Sequence, residues 1–310
     1  MSGRSTAANG WTAVRPAPLR RRRPMNPRWW GLLFVLPAVL FFAVFSVFPV
    51  LYGLYLSMTQ ASLLVPPRWT GFENFLTMPA DPLFREALGN TLVFVLGSTV
   101  PVWFGSLFAA LLFNQTFPAR DILKTLFFLP VLPPLVVVAV IWKVLLDPVG
   151  VATWMVGGMF GKAEISWLYD TTLAPLVMIV VHDWAAIPFF MMIWLAGLAT
   201  LSPELSDAAH LDGASAIRTF WHVELPQLKG TAVLVCALSS IGAFQTFTLQ
   251  YVLSNDQGGP VNSTLVLGLL IFKEGFQFFR MGYAAAISVV LFLMILVVTL
   301  LQIRLGRHAR

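Results

Sequence analysis

The stretch ELSDAAHLDGASAIRTFWHVELP, from Glu204 to Pro226, is the longest polar-rich run inside a very apolar chain. Just ahead of it, Ser202-Pro203-Glu204 has the make-up of a helix start. A hydroxyl residue stands at the cap, a proline in the first turn, and an acid near the positive end of the helix dipole. A helix is expected from there to about Leu211, and Asp212-Gly213 signals a turn. A second helix is expected from Ala214 to about Val223, closed by Leu225-Pro226. Ala208, Ala209, Gly213 and Ala214 keep one surface shallow, while Ile217, Phe220 and Val223 recur at three-residue steps and offer an apolar face. Such a pair suits insertion into a groove of another protein; the alternative is a plain connector.

The setting of this island decides the fold class. Of 310 residues, 58% are hydrophobic and 11% charged, against about 45–50% and about 25% in soluble domains. Mean hydropathy is +0.79. No soluble fold hides that much apolar surface, so the chain reads as an all-α integral membrane protein. Six apolar stretches are long enough to cross a bilayer: Trp29–Met58, Leu88–Phe113, Leu123–Leu146, Leu173–Leu201, Gly230–Val252 and Met281–Ile303. Pro37, Pro49, Pro101, Pro130, Pro133, Pro134 and Pro188 interrupt them. Broken spans are tolerated where neighbouring helices or a water-lined cavity satisfy the freed backbone, which suggests a bundle around a pathway.

Orientation follows from the basic residues. With the N-terminus inside, fourteen of the twenty Lys and Arg fall on the cytoplasmic side, including Arg20–Arg23, Arg120, Lys124, Arg218 and Lys229. Six fall outside: Arg68, Arg85, Lys143, Lys162, Lys273 and Arg280. Both termini are therefore expected in the cytoplasm, and the Glu204–Pro226 loop faces the ATP side. Residues 1–28 read as a disordered basic cytoplasmic tail and residues 29–305 as a six-span domain carrying a cytoplasmic loop at 202–226. The net charge of +6 is accounted for by orientation, so it does not point to nucleic acid. Cys236 has no partner for a disulfide and reads as a small core residue.

Chemistry is sparse. Gly157–Ala163, GGMFGKA, departs from a phosphate loop at both ends: Val156 replaces the first glycine and Ala163 the hydroxyl that would hold Mg²⁺. No zinc-peptidase, nucleophile-elbow or Cys/His metal spacing is present, so the chain reads as a transport component, not an enzyme. His182 and Asp183 lie mid-span, where charge is costly. They read either as the wall of a polar cavity or as a buried pair satisfied by neighbouring helices. Gln245 and Thr248 stand three apart, on one face of a continuous helix. They either line the same cavity or bond helix to helix, and Asn90 and Thr91 invite the same two readings.

At this point the residues resemble a family. DAAHLDGA (207–214), then Phe220, then VELP, is similar to the cytoplasmic loop signature of ABC importer permeases. Asp207 stands where that family usually carries Glu, and Gly230 where a proline often follows. GFENF (71–75), ALGNTLVF (87–94) and GGPVNSTLVLGLLIFKEGF (258–276) extend the likeness over nearly the whole chain. The variety it resembles is the sugar-uptake type, the first permease subunit of maltodextrin and glycerol-3-phosphate importers. The resemblance implies a six-helix type I permease bundle. Its implied partners are a second, non-identical permease, two copies of an ABC ATPase that binds the ATP and Mg, an extracytoplasmic solute-binding protein and the lipid membrane. It further implies that Glu204, Asp207, Ala208, Ala209, Asp212, Gly213, Ala214 and Phe220 form the ATPase-coupling element. His182, Asp183, Gln245 and Thr248 are candidates for the solute path on spacing alone. Two other readings remain: a permease for a phosphodiester or polyamine, and a stand-alone secondary transporter.

Overall fold

The computed structural model describes residues 27–62, 66–160 and 165–308. The expected N-terminal tail falls outside them, apart from its last two residues, which open a helix at Pro27. The chain divides into two units, 1–51 and 52–310. Among the described residues five helices are long and apolar enough to span a membrane, or six if one bent pair counts as a single span.

The first helix, α1 (27–57), carries its proline defect openly. Pro49 has no N–H to return to the preceding turn. The chain loosens into a π-turn over Ala43–Val47 just before it, so that the Phe48 amide reaches the Ala43 carbonyl instead.

The second unit is built on α2 (Pro82–Asn114), α3 (Arg120–Val131), α4 (Leu135–Leu145) and α5 (Leu173–Leu198). α2 and α5 run side by side in the same direction. Gly97 lies against Ile179 and Gly105 against Ile187, near enough that a Cβ on either glycine would press on the isoleucine. Further along, Trp103 meets Trp194 edge-on at 5.3 Å and donates its indole N–H to the Ala232 carbonyl.

The third expected span is bent sharply at its prolines. The Leu123–Leu146 stretch is not one helix: α3 and α4 meet at 93°. Pro133 and Pro134 supply no amides to continue the helix, and Pro134 turns out to ψ 142° as the cap of α4, so the bend falls there.

Beyond α5 come α6 (Pro203–Leu211) and α7 (216–227), an α-turn, a π-turn and a last α-turn in series. The fifth span is also broken, into α8 (Lys229–Phe244) and α9 (Thr248–Leu253). α10 (Leu267–Phe272) and α11 (Met281–His308) complete the unit. A two-residue antiparallel pair, Thr59–Gln60 with Arg68–Trp69, and a short helix, Glu73–Thr77, precede α2.

Two cores stack along α2 and α5. One gathers Phe84, Phe94, Met178, Leu249, Leu267 and Ile287 around their N-terminal halves. The other gathers Val102, Phe113, Met191, Trp194 and Val235 around their C-terminal halves. At 1.5 Å per residue α2 is about 50 Å long, so features at its two ends stand a membrane's thickness apart.

Candidate functional site

At the C-terminal end of α5 the chain forms the helix pair α6–α7. Its turn is fixed by Gly213, which sits at φ +83°, a conformation that costs a side-chain-bearing residue energy and costs glycine none. The Gly213 amide bonds to the His210 carbonyl, and the Ala214 amide to the Ala209 carbonyl at 2.9 Å, the hydrogen bonds of a helix closed by a left-handed residue. Among the described residues one side-chain bond ties the two helices: Ser206 Oγ donates to Glu224 Oε1 at 2.9 Å.

Three local expectations need correction. Ser202 has the extended backbone of a cap but makes no capping bond; its hydroxyl donates to the Glu204 carboxylate instead. That bond, with Glu204's own amide, holds the Glu204 carboxyl below its ordinary range. The second helix starts at Ala216, not Ala214, behind Ser215 in extended backbone. It also runs through Pro226 to Gln227, because proline in the first turn of a helical segment needs no amide.

The pair presents two kinds of surface. Glu204, Asp207, Ala208, Asp212 and Gly213 are exposed, and Ala209 and Ala214 half-buried. Asp207 has no hydrogen bond or ion pair among the described residues. Phe220 differs: it is half-buried and packs against the second core, so it anchors the pair to the bundle. Sequence reasoning missed Leu205, Leu211 and Trp221. With Ile217 they form an apolar rim, Leu211 89% and Ile217 74% exposed. The missed Ser206–Glu224 tie spans eighteen residues and has no local signal.

The four solute-path candidates do not assemble. His182 and Asp183 pair with each other, Nδ1 to Oδ1 at 3.2 Å. The His182 ring stands edge-on to Phe94 of α2 at 5.3 Å, and Asp183 is buried. Gln245 and Thr248 do not share a helical face, because the helix ends at Phe244 and restarts at Thr248. Gln245 is exposed and Thr248 half-buried, and no hydrogen bond among the described residues links either to the His182–Asp183 pair.

The residues that do converge are Asn90, Gln250, Ser263 and Thr264, lining a cavity of about 150 Å³ beside Phe94 and Met178. Asn90 also ties down the neighbouring loop, its amide donating to the Asn262 carbonyl at 2.7 Å and the Leu265 carbonyl at 3.0 Å. Thr91 accepts the Leu267 amide at 2.8 Å. Asn90 thus both lines the cavity and bonds to the 262–265 segment, while Thr91 bonds to the start of α10.

Of the phosphate-loop look-alike, Gly157 to Phe160 lie inside the helix Val151–Phe160, where no cradle of free amides exists; the rest lies outside the described residues. Cys236 is half-buried on α8.

Against this geometry the comparisons with known proteins agree. The family of binding-protein-dependent transport system inner membrane components matches residues 101–310, from within α2 through both broken spans and the helix pair. The chain belongs to that family. The probable ABC transporter permease protein YesP of Bacillus subtilis is 32% identical to this permease over 281 residues, 90% of each chain. The lactose transport system permease protein LacF of Rhizobium radiobacter is 31% identical, over 90% of this chain and 95% of its own. A bacterial alginate ABC transporter, solved in complex with an alginate pentasaccharide-bound periplasmic protein, contains a chain of the same fold. Its TM-score is 0.76 at 22% identity, covering 91% of this chain and 96% of that one. The permease is therefore an inner-membrane transport component and not an enzyme.

Proposed function

We propose that this permease forms half of the path by which an ATP-driven importer takes up a neutral sugar or oligosaccharide. The other half is a second, non-identical permease. Two copies of an ATPase seat on the cytoplasmic side, where ATP and Mg are bound, and a solute-binding protein delivers from outside. Both termini and the α6–α7 pair face the cytoplasm, as the Lys and Arg asymmetry requires.

The observation that carries the coupling role is the helix pair itself. Its tip is polar and small, its rim apolar and exposed, and its acid Asp207 is unpaired, while Phe220 fastens it to the bundle. Glu204, Asp207, Ala208, Ala209, Asp212, Gly213 and Ala214 seat in a groove of the ATPase, with Asp207 facing a basic residue there. Closure of the ATPase dimer moves the pair as a rigid body and tilts the bundle between inward-open and outward-open arrangements. The relatives named for sugars, together with the lack of an Arg in the middle of the spans after α1 (Arg85 and Arg304 stand near the ends of α2 and α11), support a neutral solute.

The test is uptake. Cells carrying this chain with its partners are given labelled lactose, raffinose, maltotriose and arabinotriose, with and without the chain. Loss of one uptake in the deletion supports the reading, and Asp207→Arg should separate the ATPase from the purified complex. Unchanged uptake of every sugar in the deletion would refute the importer assignment. A complex that survives Asp207→Arg would refute the docking surface alone.

A further inference from the structure

At the N-terminal end of α2, opposite the helix pair, lies a cleft of about 770 Å³. Cavities of about 300–1,000 Å³ are the size that holds small ligands. We propose that this cleft is an entry subsite for a neutral oligosaccharide, on the outer mouth of the path; this rests on the importer reading and its orientation.

The walls are fixed. Gly282, at the start of α11, lies so close to the Thr59 carbonyl that a Cβ could not be accommodated, and its amide bonds to the Ala61 carbonyl at 3.2 Å. Asn74 donates to the Ser57 and Thr59 carbonyls at 2.9 and 3.0 Å. Tyr283 donates to Asp81 Oδ2 at 2.7 Å, while Asp81 Oδ1 caps the Leu83 amide. Arg280 is held by Glu274, which is completely buried: Nη2 donates to Oε1 at 2.6 Å and Nε lies 2.5 Å from Oε2. A pre-formed wall spares a ligand the cost of ordering it.

Into this frame the chain presents flat rings and planar polar groups. Phe278 is half exposed, one face under the Arg280 guanidinium at 5.8 Å. Phe279 beside it is forced to φ +58°. For a bulky residue that is an outlier, and such strain persists where the surroundings impose it, often at ligand clamps. Here the Phe278 amide bonds to the Lys273 carbonyl at 2.8 Å and the Arg280 amide to the Glu274 carbonyl at 2.7 Å, which locks both rings toward the cleft. Gln60, Asn74 and Thr70 supply hydrogen-bonding groups, and the Thr70 hydroxyl is buried without a partner among the described residues.

Rings offer apolar faces to the C–H side of a sugar, and amides and hydroxyls meet its alternating hydroxyls. Charge selects within that class. Arg68 and Arg280 in the lining are matched by Glu73 and Asp81, and Glu274 stands behind them. The lining charges balance, so the cleft offers an acidic saccharide no net attraction.

The experiment uses the full chain in lipid nanodiscs without the solute-binding protein. Lactose, raffinose, maltotriose and trigalacturonate are titrated by saturation-transfer NMR. A neutral sugar is expected to bind saturably and trigalacturonate more weakly. Phe278→Ala should weaken binding about five-fold, the size of one aromatic contact, and Phe278→Tyr should retain it. No saturable binding of any neutral sugar, or equal binding by Phe278→Ala, overturns the subsite. So does a Phe278→Ala variant that keeps sugar affinity and loses capture of the solute-binding protein, since the cleft is then a protein-docking face. Sugar uptake by wild-type cells is recorded in parallel. Uptake without binding sinks the subsite alone, whereas absence of chain-dependent uptake sinks the importer reading.

Discussion

The two ends of the α2–α5 pair are built on opposite plans. The α6–α7 pair keeps its apolar rim in the open, has one side-chain tie between its helices, and leaves Asp207 unpaired. The opposite end is cross-tied by its side chains, although the Thr70 hydroxyl stays without a partner among the described residues. Besides the Arg280–Glu274 and Tyr283–Asp81 contacts, Lys143 reaches the Val252 carbonyl at 2.9 Å and Gln277 grips both Asp256 oxygens. Thr91 and Asn90 hold the chain that returns between them. A surface that must engage a moving partner leaves its groups unspent. A rim that must keep its shape while solute passes spends them internally.

The sharpest way to break this contrast is Gly213→Trp. At φ +83° any side chain strains the turn, and nothing in this chain lies within 4 Å of a Cβ there, so the bundle should still fold. Stimulated ATP hydrolysis and uptake by the reconstituted complex should fall to background while membrane levels hold. Transport at the normal rate would show the turn to be a plain connector.

At the other end, Arg280→Ala should instead strike stability, by about 3 kcal/mol, because it strands a buried carboxylate. Thermal unfolding in detergent reads it. The same pair gives a pH dependence. Burial raises the Glu274 carboxyl above its ordinary value of 4.5, against the pull of Arg280 and Lys273 and with the push of Asp81. The folded chain then holds a proton that the unfolded chain has lost, so stability should decline as pH rises above 4.5 through the raised value. Glu274→Gln should flatten that slope; an unchanged slope would place its origin elsewhere.

Thr91→Val should cost about 1–3 kcal/mol by orphaning the buried Leu267 amide, again seen in melting. Loss of coupling with unchanged melting would mean that this end also moves. The smallest effect is expected from Ser206→Ala, about 1 kcal/mol of local order. It should lower stimulated ATP hydrolysis a few-fold without changing the melting of the bundle. If melting falls instead, the tie belongs to the bundle and not to the pair.

Much of this was legible along the chain. The spans were, because about twenty apolar residues are needed wherever a helix crosses hydrocarbon. The Gly213 turn was, because only glycine enters that conformation freely. The placement of Phe220 was not: a three-residue apolar rhythm says which residues share a face, not whether that face meets a partner or its own bundle. The relation of Gln245 to Thr248 was not legible either. Their spacing assumes an unbroken helix, and the break at 245–247 has no proline to announce it.

By itself, then, the sequence determined the membrane class, the helix pair and its turn, since these rest on composition and on local backbone preference. Tertiary structure alone decided that the His182 ring meets Phe94 of α2, and that Asn90 and Thr91 secure the 262–267 segment, more than 170 residues away. It also decided that Phe278 and Phe279 line a cleft with residues from before α2. Those outcomes depend on which groups meet across long separations, where a buried polar atom takes whatever partner the packing brings.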